Sequence, residues 1–198
     1  MSPAGHSERS TQDRVVALFH DRLDYTYLGN WKDRPGNANI EPGLLAAWLR
    51  RRGVDEPLLT RALHQLAKAA GDTSKRLYDR NRAVYALLRY GVKVKPEVGE
   101  QTVTVWLIDW RDPHANDFAL AEEVTVKAAD PKAYDKRPDA VIYVNGIALG
   151  VLELKRSTVS VSQGIRQNLD NQKPNFIEPF FSTLQLLMAG NDSEGLRY

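Results

Sequence analysis

The chain contains no cysteine and only two methionines and four histidines in 198 residues. Disulfides, thiolate zinc centres and cysteine nucleophiles are thereby excluded, and the scattered histidines offer no paired zinc spacing. A metal held by this chain must be held mainly by oxygen, which points to magnesium or manganese. No apolar run approaches the ~20 residues that span a bilayer, and the polar start Met1-Ser2-Pro3-Ala4-Gly5-His6 lacks a signal peptide's apolar core. A cytoplasmic location with no membrane partner is therefore expected. Charge of one sign is also scarce: 27 Lys and Arg against 25 Asp and Glu give a net charge of +2, which permits contact with nucleic acid without demanding it. There is no internal repeat and no low-complexity linker.

What is present suffices for one sizeable core, since 42% of residues are hydrophobic and 26% charged. A single domain over 1–198 is expected, mainly helical over 1–91 and sheet-containing over 92–198. Ser10 or Thr11 can cap a first helix whose apolar face runs through Val15, Val16, Leu18, Phe19 and Leu23. Gly29 and the stretch 33–37 read as loop. Pro42 and Gly53 bracket a second helix, Asp55 caps a third running to Gly71, and a fourth runs from about Ser74 to Gly91. From Val92 the period changes. Residues 103–110 and 118–126 read as strands, 139–144 and 147–155 as a hairpin around Asn145-Gly146, 157–172 as a helix, and 182–189 as a last strand. This order implies an α/β fold, a mixed central sheet flanked by helices.

The hairpin carries charges that no core would choose. Asp139 opens one apolar strand, and Glu153 and Lys155 close the next on a shared face, because strand side chains alternate. With a tight two-residue turn and an unbroken ladder, Asp139 would pair with Leu152 and lie on the wrong face. An odd loop, such as Val144-Asn145-Gly146 with Gly146 left-handed, or a bulge, shifts the register by one and brings Asp139, Glu153 and Lys155 together. Converged, Asp139 and Glu153, with a backbone carbonyl such as that of Leu154, would supply hard oxygen ligands to a divalent cation. Lys155 would orient or deprotonate a water and offset charge on a phosphate. The implied reaction is phosphodiester hydrolysis. The alternative is a strand-end ion pair of Glu153 with Lys155 or Arg156 in solvent.

Asp139 with Glu153-x-Lys155 resembles the Pro-Asp...(Asp/Glu)-x-Lys nuclease superfamily. The wider text is similar to the N-terminal region of the R subunit of type I restriction-modification enzymes. The likeness lies in Thr11-Gln12-Asp13-Arg14-Val15, Tyr27-Leu28-Gly29-Asn30-Trp31, 77–82, 104–110, 144–156 and 165–172, and so covers essentially the whole chain. It implies a restriction-endonuclease-like fold, magnesium ligands in Asp139 and Glu153, a catalytic lysine in Lys155, and action on double-stranded DNA. Methyltransferase and specificity subunits are its implied partners. Such subunits continue into an ATP-driven motor, yet this chain has no Gly-x-x-x-x-Gly-Lys-(Ser/Thr) loop. It therefore looks like a fragment whose ATP site lies elsewhere.

The family often carries Gln-x-x-x-Tyr on the helix after the Glu-x-Lys strand, the glutamine approaching the site. Here Gln167 is followed at that place by Asn171. On a helical wheel Val161, Ile165 and Leu169 form an apolar stripe, and Gln163, Gln167 and Asn171 lie opposite, as a solvated face would. Gln167 is therefore a secondary candidate. A first-helix glutamate beside the metal, found in some relatives, has only Glu8 nearby, and it is not assigned. Glu122-Glu123 read as exposed strand-edge charge, an added site carboxylate being the alternative. Lys136, Arg137, Arg156, Arg166 and Lys173 could hold phosphates or simply be solvated. Of the four tryptophans, Trp31, Trp48, Trp106 and Trp110, three sit within apolar patterns and read as core, base stacking being the other option. Two functions follow: a metal-dependent endonuclease domain, or a catalytically silent interaction module docking motor or methyltransferase subunits.

Overall fold

A computed structural model describes residues 7–96 and 101–198. Ser7, rather than Ser10 or Thr11, caps the first helix, α1 (Glu8–Ala17), its side chain accepting from the Ser10 N–H. A π-helical turn over Leu18–Arg22 follows. α1 buries Thr11 and Gln12, while Val15, Val16 and Phe19 pack on the sheet half-buried. The helices α2 (Pro42–Arg51) and α3 (Glu56–Ala70) follow the expected Pro42 start and Asp55 cap, while α4 (Leu77–Tyr90) begins three residues after the expected Ser74 and stops before Gly91 as expected. They enclose a core of Leu45, Trp48, Leu49, Leu59, Leu66 and Val84.

The sheet strands are β1 (Thr26–Asn30), β4 (Phe118–Glu122), β5 (Ala140–Val144), β6 (Ile147–Leu154), β7 (Leu186–Asn191) and β8 (Gly195–Arg197), hydrogen-bonded in that order. The β1–β4 and β6–β7 pairs are parallel and the rest antiparallel, so the sheet is mixed. Helix α5 (Val161–Asn171), capped by Ser160, packs beside β6 and β7. A separate two-stranded ribbon joins β2 (Val92–Val94) to β3 (Val103–Val105). This is the expected α/β architecture, a mixed six-stranded sheet flanked by five α-helices among the described residues.

Several boundaries differ from expectation. Gly29, read as loop, lies within the edge strand β1, which β4 recruits. The strand expected over 103–110 stops at Val105 because Asp109 folds its own turn, accepting the N–H groups of Arg111 and Asp112. β4 ends at Glu122 because Glu123 turns left-handed (φ 53°).

The hairpin turn is tight, not the three-residue loop: Val144 pairs with Ile147, and both Asn145 (φ 53°) and Gly146 (φ 81°) have positive φ. Asn145 is buried, receiving the Asp117 N–H and donating to the Leu107 carbonyl and Asn116 Oδ1. The register shift comes instead from a bulge within β6. Tyr143 pairs with Ala148 but Ile142 pairs with Gly150, leaving Leu149 extra. Ala140 then pairs with Leu152, and the same register places Asp139 opposite Glu153.

Candidate active site

At the open end of the hairpin Glu153 is fully buried and Asp139 is 9% exposed. Lys155 Nζ, on a side chain only 13% exposed, lies 4.0 Å from Glu153 Oε2. The solvent-exposed strand-end ion pair is therefore not what forms. The Leu154 N–H donates to Asp139 Oδ2 at 2.6 Å, tying the two strands at the site. In the next peptide unit the Lys155 N–H points to the Gly190 carbonyl on β7 at 2.9 Å. The Leu154 carbonyl, trans to that N–H across a planar peptide, points away from β7.

Gln167 reaches in from α5 and donates to Glu153 Oε2 at 2.7 Å. The expected solvated polar face holds at Gln163, which is exposed, but not at the half-buried Gln167 or the buried Asn171, and of the apolar stripe only Val161 is buried. Gly164, Asn168 and Asn171 are buried, while Ile165 and Leu169 are exposed. Packing against β6 and β7 outweighs the apolar stripe, because the glycine allows close approach and Asn168 donates to the Met188 carbonyl. Asn171, at the tyrosine position, is buried with neither amide atom hydrogen-bonded.

Burial pushes the Asp139 carboxyl up to about 6, against the opposing pull of the Leu154 N–H and Lys155. Burial also holds the Glu153 carboxyl well above the usual range, and the neighbouring Asp139 adds to it. Glu8 raises both carboxyls, so α1 does bring it within electrostatic reach of the pair. Glu8 is unassigned from the sequence because its register is poor there; the Ser7 cap puts it in the first turn of α1.

Glu122 is buried, not exposed, and its carboxylate is engaged by protein donors. Its carboxylate accepts from Tyr27, Asn30, Gln12 and Arg9 at 3.0–3.3 Å. Burial alone would raise its pKa, but Tyr27, Asn30 and Arg9 together hold it below the usual range. Gln12 also donates to the Asp139 carbonyl at 3.3 Å, and the left-handed Glu123 offers its N–H to the same carbonyl at 2.9 Å. This knot fixes the strand end that bears Asp139. Sequence reasoning missed Gln12, whose only signal was its place among the family-like residues.

Of the basic residues expected near the site, Arg137 pairs with Glu123, Lys173 pairs with Asp170, and Lys136 lies 3.8 Å over the Phe176 ring. Arg156 and Arg166 are exposed, with no ion pair among the described residues.

The donor set fits a hard divalent cation. Glu153 Oε1 is buried with no hydrogen-bond partner, and two carboxyls share a desolvated space in which neither ionises freely. A cation there would replace the missing partner and neutralise the pair. Asp139, Glu153 and the Leu154 carbonyl would be its ligands. Among the described residues no three acidic or histidine side chains gather as a metal cluster, so water and phosphate oxygens would complete the shell.

Known proteins bear on this arrangement. A Methanocaldococcus jannaschii protein named "Putative type I restriction enzyme MjaIXP endonuclease subunit" is 28% identical over 117 residues, 58% of this chain and 11% of that protein. The chain thus spans about a tenth of that relative's length. No helix among the described residues is long and apolar enough to cross a membrane. The family model described as type I restriction enzyme R protein N terminus matches residues 5–198, nearly the whole chain, which therefore belongs to that family.

Proposed function

We propose that this domain is a magnesium- or manganese-dependent endonuclease that hydrolyses phosphodiester bonds of double-stranded DNA. It would act within a complex holding methyltransferase and specificity subunits, with ATP used only in a motor region outside this chain. The observation that carries the reading is the convergence of Asp139, Glu153 and Lys155 at the bulged hairpin's open end, with one Glu153 oxygen left without a partner.

The cation, when bound, would lower the pKa of a ligated water and stabilise negative charge gained by the phosphate. The chain's own groups do the rest. Asp139 and Glu153 would be held ionised against burial only when their charge is offset, as a bound cation would offset it. Gln167 fixes the Glu153 carboxylate by occupying Oε2, which leaves Oε1 facing the site. Lys155, next along the face, would orient the attacking water and offset charge on the scissile phosphate. Attack forms the new P–O bond as the bond to one sugar oxygen breaks, and that oxygen leaves as the alcohol once protonated. Arg156 and Arg166, on either side of Lys155 and Gln167, are suited to backbone phosphates without reading bases.

Plasmid DNA incubated with the chain and magnesium tests the reading. Nicking or linearisation that disappears in Lys155→Ala is expected. Cutting at an unchanged rate in that variant would overturn the catalytic assignment. Absence of cutting together with equal metal binding by wild type and Asp139→Asn would leave a docking module instead.

A further inference from the structure

Two tryptophans depart from the core role given them. Trp31 and Trp48 are buried, but Trp106 and Trp110 are 50% and 49% exposed, far more than their apolar surroundings require. Both line a cavity of about 560 Å3 between α2, the end of α4 and β3, together with Arg52, Arg89 and Arg111. That volume lies within the roughly 300–1,000 Å3 of small-ligand sites. Ile108 and Asp109 on its wall adjoin the Asn116–Asn145 hydrogen bonds at the hairpin turn. The cavity therefore sits at the opposite end of β5 from Asp139, roughly 17 Å away along a five-residue strand.

Its chemistry is asymmetric. Three guanidinium groups face one carboxylate, Asp109, which Arg52 already engages at 2.6 Å. Arg111 makes no ion pair among the described residues, and Arg89 lies 5.6 Å from the Trp110 ring centroid. Trp110 is fixed by its indole N–H on the Leu88 carbonyl at 2.8 Å, while Trp106 makes no such bond among the described residues. Half-exposed indoles beside three arginines that share the single carboxylate of Asp109 match a ligand that is flat and apolar at one end and anionic at the other.

We propose that this cavity binds one unpaired nucleotide, its base against Trp106 and Trp110 and its phosphate against Arg111 and Arg89. A base stacked and paired in a duplex cannot enter a concave pocket, so the ligand is a single-stranded segment or a free nucleotide. Arg52 shields Asp109 from the incoming phosphate.

Tryptophan fluorescence, read in EDTA so that no metal-dependent cutting intervenes, tests the proposal. The full chain is titrated with a 5′-phosphorylated thymidine hexanucleotide and separately with thymidine 5′-monophosphate. Saturable quenching is expected, weakened at least tenfold in Trp106→Ala and in Arg111→Glu, both checked for wild-type circular dichroism. Arg111→Glu keeps the test decisive if Trp106→Ala fails to fold. Tighter binding of the hexanucleotide assigns the site to a strand and equal binding to the free nucleotide, and either supports the proposal. Glu153→Gln should bind as wild type does. Loss in that variant alone would place the ligand at the other end of the hairpin and overturn the proposal without touching the nuclease reading. No saturable binding, equal affinity in both pocket variants, or displacement by tripolyphosphate as effective as by nucleotide would also overturn it. So would self-association that Trp106→Ala abolishes while nucleotide leaves the fluorescence unchanged, since the face would then dock protein.

Discussion

A methyl group placed on Gly164 would fall 2.9 Å from the Ala189 Cβ, closer than real side chains approach, so α5 lies on the sheet at a distance only glycine permits. That same approach carries Gln167, one turn later, to within 2.7 Å of Glu153. Gly164→Val should therefore lift the helix and release the carboxylate. We expect Gln167→Ala to lower metal affinity or cutting by about 10–100-fold, the usual effect of losing a group that orients a ligand. Gly164→Val should do at least as much. Wild-type activity in both variants, measured on plasmid with magnesium, would remove Gln167 from the site.

The carboxyl pair makes the metal-free protein sensitive to pH. A carboxyl whose folded pKa lies above its unfolded value binds more protons when folded, so stability falls as pH rises through the interval between the two. For Asp139 that interval runs from the ordinary carboxylate range to about 6. Asp139→Asn or Glu153→Gln should raise the metal-free stability at pH 7.5 by on the order of 1–3 kcal/mol. The gain should shrink at pH 5. Thermal melts at the two pH values check this, and a loss of stability in both variants at pH 7.5 would contradict it.

Glu122 behaves in the opposite sense. Its lowered pKa gives stability that is present above the ordinary glutamate range and is lost as pH falls through the folded value. Glu122→Ala would strand Gln12, Tyr27 and Asn30 without their acceptor and loosen α1 from the sheet. A cost of about 2–4 kcal/mol is expected in urea unfolding, with Gln12→Ala costing about 1–2 kcal/mol. Changes within 0.5 kcal/mol would show that the knot does not hold the helix.

Gly146 is bound to its turn for two reasons, φ of 81° and a Cβ position 2.7 Å from Leu44 Cβ and 2.9 Å from the Glu41 carbonyl. Gly146→Ala should destabilise by more than the ~1 kcal/mol of a simple positive-φ penalty, because the hairpin would have to part from α2. Denaturant midpoints of Gly146→Ala and Gly36→Ala separate the two effects. At Gly36 (φ 74°) a Cβ meets nothing within 4 Å.

The three charged residues, the helices bracketed by Pro42, Gly53 and Gly71, and the mixed sheet were all legible from residue order. The geometry that joins the charges was legible only as a requirement. Residues 147–154 are apolar on both faces, so no alternation marks where Leu149 drops out of register. Likewise 103–110 is apolar at most positions of both faces, which hides the turn that Asp109 makes. Gly29 reads as loop because glycine favours turns, and pairing of its neighbours with β4 puts it in a strand. The inward polar face of α5 follows from partners in β6 and β7 that a helical wheel does not contain. Glu122 looks like strand-edge charge until four donors from α1 and β1 surround it.

Leaving Asn171 buried with both amide atoms unpaired has a stability consequence of its own. Asn171→Leu, close in shape and without a polar group to desolvate, should be neutral or stabilising by up to about 1 kcal/mol. A loss above 2 kcal/mol in thermal or urea unfolding would show that the amide is hydrogen-bonded in solution.

Calorimetric titration of manganese into the wild-type chain, Asp139→Asn and Glu153→Gln, in two buffers of different ionisation heat, bears most directly on the central claim. Saturable binding by wild type with proton release near pH 6, and its loss in both variants, is the expected result. Equal binding by all three proteins, or binding without proton release, would contradict a cation held between Asp139 and Glu153.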